Sequence, residues 1–210
     1  QAVAETLEEV RRLCQQLDNG RSALANGQLA AAIEQLESTK VAIGTDAFFA
    51  NTNVMGILTL EVARFREQIE DTLRLRWQEQ LKVDRQRGSF LVTKGDGADS
   101  LDTTIASMSR LDILASTSEK FLRDFCVAVI DPILLPRADG KSRAVTVTDT
   151  SIYVQSEYSE ATVSETLSRT TEVLNYLRQN LPPSIIAELP QSLVPSVASK
   201  TISGWLSSSI

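Results

Sequence analysis

Residues 53–84 read NVMGILTLEVARFREQIEDTLRLRWQEQLKVD, and the spacing within them decides the fold class. Apolar residues fall at Val54, Leu58, Val62, Phe65, Ile69, Leu73, Trp77 and Leu81, mostly four apart, which is helical spacing and not the alternation of a strand. At about 1.5 Å per residue, a helix from Asn53 to Asp84 spans about 48 Å, too long for a compact small domain. Steps of four advance the stripe by about 40°, and the step of three turns it back by about 60°. Different stretches of the helix must therefore face different neighbours. An elongated stack of staggered helices is built in this way, and a gently curved bundle gives the same pattern.

Upstream, Val3, Leu7, Val10, Cys14, Leu17, Arg21 and Leu24 recur in alternating steps of four and three. This is a heptad seam, with Arg21 as its one misfit. Two readings stand: an intramolecular hairpin with the next helix, or a coiled coil with another chain or with residues upstream. Val3, Leu7, Val10, Leu17 and Leu24 are the candidate partner-interface residues. Asn26 and Gly27 stop this helix, and Leu29, Ile33, Leu36 and Ile43 mark a second that ends at Gly44. A short connector carries Phe48 and Phe49.

Downstream, Lys94-Gly95-Asp96-Gly97 is a turn, and Phe90, Leu91 and Val92 before it belong to a loop or a small strand. Ser100 is placed to cap a short helix to Arg110; a longer one follows through Ile113, Leu114, Phe121, Leu122, Phe125, Val129 and Ile130, to be ended by Pro132 and Pro136. Residues 144–148 and 152–156 then alternate and are rich in Val, Thr, Ile and Tyr, which predicts one small β-hairpin within 143–156. A hairpin alone is marginal, so it must lean on helices. Val163, Leu167, Val173, Leu174 and Leu177 predict the buried face of a helix over 160–180, stopped by Pro182-Pro183. The remaining segment, with Leu189, Leu193, Val197, Ile202, Trp205 and Leu206, is nearly uncharged. It is expected to pack against parts of a longer protein, and the chain is read as a fragment.

The expected class is therefore mainly α, a helical rod or bundle with one hairpin, organised as 1–84 (a helical stub plus the long helix) and 85–210. The chain of 210 residues carries 9 Gly and 6 Pro, and Ala, Leu, Glu, Gln and Arg dominate its first part. A net charge of −6 offers no general attraction for nucleic acid or anionic lipid. No apolar run approaches the roughly 20 residues of a membrane-spanning helix. With no histidine, the commonest general base and metal ligand is missing. Cys14 and Cys126 fall in helical apolar patterns, where cysteine behaves as a small buried hydrophobe and a reducing, cytosolic setting fits.

No catalytic, cofactor or metal site is expected. Glu5, Glu8 and Glu9 read as the polar face of an N-terminal helix. Gly95-Asp96-Gly97 lacks the regular oxygen ligands of a calcium loop and the lysine of a phosphate loop. Ser196 and Lys200 have no more than a chance spacing. Arg74, Arg76, Lys82, Arg85 and Arg87, with Trp77 among them, read either as the solvated face of a long helix or as a docking patch for an acidic partner.

The order of these elements resembles a known family. The segments "ALANGQLAAAIEQLESTKVAI", "ILTLEVARFREQIEDTLRLRWQEQLKV", "FLRDFCVAVIDPILLP" and "VLNYLRQNLPPSIIAELPQSLVPSVASKTISGWL" together are similar to the N-terminal half of the zeste-white-ten family, in a fungal member. The likeness covers nearly the whole chain through diffuse motifs. It implies a helical rod of the multisubunit-tether type, part of a Dsl-type complex that captures retrograde coat-protein-one vesicles at the endoplasmic reticulum. The partners it implies are a Rint/Tip-type subunit, held through N-terminal helices, a Sec/NAG-type subunit, and SNAREs reached indirectly. A kinetochore role in some relatives is implied too, and no catalytic residue is. The other class consistent with the sequence is a spindle- or cytoskeleton-linked coiled-coil adaptor.

Overall fold

The long apolar stripe does form a helix, but it stops one turn early. The computed structural model describes residues 2–45, 53–134 and 141–186. In order, the elements are α1 (Ala2–Ala25), α2 (Leu29–Thr45), α3 (Asn53–Gln80), β1 (Leu81–Asp84), β2 (Ser89–Val92), α4 (Leu101–Arg110), α5 (Leu114–Phe125), α6 (Asp131–Leu134), β3 (Lys141–Val147), β4 (Ser151–Glu160), α7 (Val163–Asn180) and α8 (Pro183–Ile186). The chain is mainly helical, with a four-stranded antiparallel sheet of order β1-β2-β4-β3. It divides into two compact units, Gln1–Arg76 with Thr103–Leu111, and Trp77–Asp102 with Asp112–Ile210.

In the first unit, α1 and α2 are joined through Asn26–Gln28, with Gly27 at φ +75 as the left-handed stop. So short a connection makes the pair antiparallel. Leu13 and Leu17 of α1, Ile33 and Leu36 of α2, and Phe65, Ile69 and Leu73 of α3 form the core with Met108 of α4. Gly20 is where α1 comes closest: a Cβ there would lie 2.7 Å from the ring of Phe65. Arg21, the misfit of the heptad row, reaches Glu61 of α3 at 2.6 Å. The row is therefore not a continuous apolar seam. Its buried members are shared with Leu13 and Gly20, and Cys14, expected inside, is exposed because the contact face is rotated toward Leu13 and Leu17. Arg110 ties α4 to Glu37 at 2.5 Å, and Arg66 donates to the Leu111 carbonyl at 2.8 Å.

The second unit corrects three expectations. The long helix does not run to Asp84: Leu81–Asp84 is β1, paired with β2 in the register Leu81↔Val92 to Asp84↔Ser89. The Asp84 carboxylate accepts from the N–H groups of Gln86 and Arg87 at 2.9 and 3.0 Å, and Gly88 sits at φ +60, closing the turn. Phe90-Leu91-Val92 is therefore a strand. The hairpin β3–β4 is present but is half of a larger sheet, since β2 pairs with β4 through Phe90↔Ile152. Pro132 does not end its helix. A π-helical stretch, Cys126–Ile130, whose closing bond runs from the Asp131 N–H to the Cys126 carbonyl, shifts the hydrogen-bond register, and α6 carries Pro132 on to Leu134.

One face of this sheet and the helices share an aromatic core. Phe90 packs against Phe121, Phe125 and Tyr176 at ring-centroid distances of 5.6, 5.1 and 6.3 Å, and Trp77 meets Phe121 edge-on at 5.8 Å. Burial raises the Cys126 thiol to about 11, with Asp131 adding to it. In α7, Val173, Tyr176 and Leu177 are buried, whereas Val163 and Leu167, expected inside, are exposed because they lie around the flank of the helix from that stripe. Phe48, Phe49, Pro136 and the apolar segment from Leu189 to Leu206 lie outside the described residues.

The start of α7 is a capping box. The Thr162 hydroxyl accepts from the Glu165 N–H at 3.2 Å, and the Glu165 carboxylate accepts from the Thr162 N–H at 2.7 Å. The Thr162 N–H foremost, and then the Thr162 hydroxyl donating to the same carboxylate at 3.0 Å, hold the Glu165 carboxyl below its ordinary range. Its folded value lies below its unfolded value of about 4.3. The stabilisation is thus complete above that value and lost as pH falls through the folded one. Thr162→Ala is expected to cost about 1 kcal/mol at neutral pH. Glu165→Ala, which removes the titrating group itself, should flatten the acid limb of stability against pH, measured by urea denaturation across pH 3–7; equal losses at both ends would sink the capping account.

Candidate interaction surfaces

Of the residues singled out for a partner interface, Leu17 is buried in the first unit, Val10 and Leu24 are half-buried, and Leu7 is 65 % exposed; Val3 lies in the first turn of α1. All five lie on α1, and the burial of the last four in chain order differs along it. The structure adds others that sequence spacing missed. Val41 of α2 and Ile57 of α3 are each 64 % exposed, Leu60 is 51 % exposed and Val54 is 39 % exposed.

The contacts Arg21–Glu61, Gly20–Phe65 and Arg76 to the Gly27 carbonyl place α3 alongside α1 in the same direction. Leu7, Val41, Val54, Ile57 and Leu60 therefore lie on the parts of α1, α2 and α3 further from the Asn26–Gln28 turn. Single exposed leucines are ordinary. Here all the large apolar side chains that the described part of the unit leaves exposed, Leu75 excepted, lie on the helix segments away from that turn. Sequence spacing hid this, because Ile57 and Leu60 interrupt no helical pattern; only their position far around α3 from Leu58, Val62 and Phe65 exposes them.

The basic run is largely answered from within. Arg74 pairs with Glu70 and Asp71 at 3.0 and 3.2 Å, Arg85 with Asp124, and Arg87 more loosely with Asp84 at 3.8 Å. Arg76 donates to the Gly27 carbonyl at 3.4 Å, and Lys82 is exposed on β1. Exposed pairs of this kind contribute at most about 1 kcal/mol each. Glu9 likewise pairs with Arg12 one turn on, and its carboxyl is held below the ordinary range by that guanidinium. Gly95 and Gly97 take positive φ and lead into a 3-10 turn, where a Cβ on Gly95 would run into the Asp99 carbonyl. Among the described residues no three Cys, Asp or Glu side chains gather as a metal-ligand set, and no helix is long and apolar enough to cross a membrane.

The second unit carries a groove of about 870 Å³ between the end of β3 and the polar side of α7. Ser168, Glu172, Asn175 and Gln179 line one wall, and Val147 and Asp149 the other. Tyr176 also borders it. Its hydroxyl is buried with no hydrogen-bond partner, and burial raises it to about 12. The spacing i, i+4, i+7, i+11 of that polar wall was legible in the sequence, but without β3 nothing marked it as facing anything. Neither a scan against protein-family models nor a search of curated proteins finds a match for this chain.

Proposed function

We propose that this chain is a non-enzymatic scaffold segment of a vesicle-tethering complex, of the zeste-white-ten type. In this reading it is part of a helical rod in the cytoplasm, peripheral to the endoplasmic reticulum, and serves Golgi-to-ER retrograde transport and SNARE assembly. The Rint/Tip-type subunit docks its own helices on the first unit, and the Sec/NAG-type subunit links the assembly to SNAREs. In species where relatives work in mitosis, the same surface serves the kinetochore. The observation that supports the reading is the exposure of Leu7, Val41, Ile57 and Leu60 on the three long helices of one helical unit. A partner helix that covers them removes that surface from water, worth about 1.5–3 kcal/mol for each side chain fully buried.

The test is affinity purification of the tagged full-length protein from its own cells, with and without the pair Ile57→Glu and Leu60→Glu. Both positions are exposed, so the pair is expected to leave stability within about 0.5 kcal/mol per site. Capture of the Rint/Tip-type subunit is expected to fall by at least tenfold, since each 1.4 kcal/mol is about a factor of ten. If only microtubule or spindle proteins are captured, the coiled-coil adaptor reading replaces this one. If the tether subunits are captured undiminished by the pair, the tether reading stands and the surface is wrong.

A further inference from the structure

We infer that the open edge of β3, with the groove beside it, binds an extended polypeptide segment that adds to the sheet next to Val145 and Val147. In the order β1-β2-β4-β3, the last strand has a neighbour on one side only. The direction of its backbone groups follows from the turn. Thr148 N–H donates to the Ser151 carbonyl at 2.8 Å, so Thr148↔Ser151 is a hydrogen-bonded pair. In an antiparallel ladder such pairs alternate with non-bonded ones. In the register Val147↔Ile152, Thr146↔Tyr153, Val145↔Val154, Thr146 therefore bonds to β4, and Val145 and Val147 turn their N–H and C=O groups outward. The other side of β4 agrees, since Val154 N–H donates across to Gly88 of the β1–β2 turn. Among the described residues none pairs with the outward groups of Val145 and Val147 by a backbone bond.

Edges of this kind are usually blunted by charge, proline or a bulge. Here the irregularity lies upstream, between Arg143 and Val145, and the stretch Val145-Thr146-Val147 carries none of the three. Val147 is common to the edge and to the groove. The wall opposite offers the carboxamides of Asn175 and Gln179, each both donor and acceptor, as a peptide group is. Lys94, Asp149 and Glu172 all line the groove, one positive charge with two negative ones, which disfavours a polyanion and suits a mixed-charge peptide. From Ser168 to Asn180 the wall is about 18 Å long, the reach of about five or six extended residues. Strand addition draws its affinity from main-chain hydrogen bonds and its selectivity from flanking side chains.

The experiment uses the purified chain and a phage-displayed library of random heptapeptides, with the strongest synthetic peptide then titrated by fluorescence anisotropy. Val147→Pro removes one outward N–H and no bond to β4, and is expected to weaken binding at least tenfold. Asn175→Ala with Gln179→Ala is expected to weaken it several-fold. Hydrogen exchange on the unaltered chain gives a second readout that needs no variant: the Val145 and Val147 amides exchange freely alone and slow at least tenfold with saturating peptide. Three results each overturn the inference: no heptapeptide that saturates, equal binding by a folded Val147→Pro, or Val145 and Val147 amides already protected in the free chain, which would mean that the chain's own residues cover the edge. If Val147→Pro does not fold, the exchange result decides alone.

Discussion

Phe90→Ala is expected to lower the stability of the second unit by about 3–5 kcal/mol, the range for a buried aromatic cut to a methyl group. Phe90 is 0 % exposed and is the ring common to Phe121, Phe125 and Tyr176, so its loss opens a cavity in contact with three other rings. Those rings come from α5 and α7, each held at its other contacts, so the void cannot close by moving one side chain. Urea denaturation followed by tryptophan fluorescence, to which buried Trp77 contributes, should show a lower midpoint with an unchanged slope. Leu91→Ala is the matched control. It is 37 % exposed on the other face of the same strand and is expected to cost less than about 1 kcal/mol. Similar losses at both positions would mean that β2 is not paired in the register Phe90↔Ile152.

Gly20→Leu should destabilise the first unit by about 3 kcal/mol, the upper part of the usual overpacking range. At this position a Cβ alone meets Phe65 Cε1 and Cζ at 2.7 Å and Gln35 Cβ at 3.1 Å. Phe65 is fully buried, so its ring has nowhere to swing. Gly20→Ala sets two effects against each other. Helix propensity favours alanine by about 1 kcal/mol. The clash requires α1 and α3 to separate, and the loss of contact around Phe65 outweighs that gain. A small net destabilisation is expected for alanine and a large one for leucine, both read by thermal denaturation in far-UV circular dichroism. A more stable Gly20→Ala protein would mean that α1 does not approach α3 as closely as the geometry has it.

Much of the helical architecture was readable residue by residue. Leu29, Ile33, Leu36 and Ile43 are all buried, and the row Leu58 to Trp77 is buried throughout, because a repeat near 3.6 puts those side chains on one side of a helix whatever the partner is. The hairpin β3–β4 was legible for the matching reason: Val145, Ile152 and Val154 alternate. The failures are specific. Leu81 continues the helical stripe, yet it is the first residue of β1. Its burial satisfies both periods, and pairing with Val92, 11 positions away in sequence, decides between them. Arg21 looked like a flaw in a coiled-coil seam, because its carboxylate partner lies 40 residues on, at Glu61. Pro132 looked like a stop, because a π turn leaves no mark in a list of residue types.

What the sequence determined by itself is the local part: where helices and the hairpin form, where Gly27 ends α1, and that the chain is mainly helical, since these depend on spacing within a turn or two. The tertiary structure alone decided which hydrophobic residues are left in solvent and which polar ones face a partner. Ile57 and Leu58 are adjacent and chemically alike, yet one is 64 % exposed and the other 3 %. The open edge of β3 likewise exists only because β4 chose β2 for its second neighbour. Both outcomes are relations between segments far apart in the chain, set by the packing of whole elements, and no local pattern encodes them.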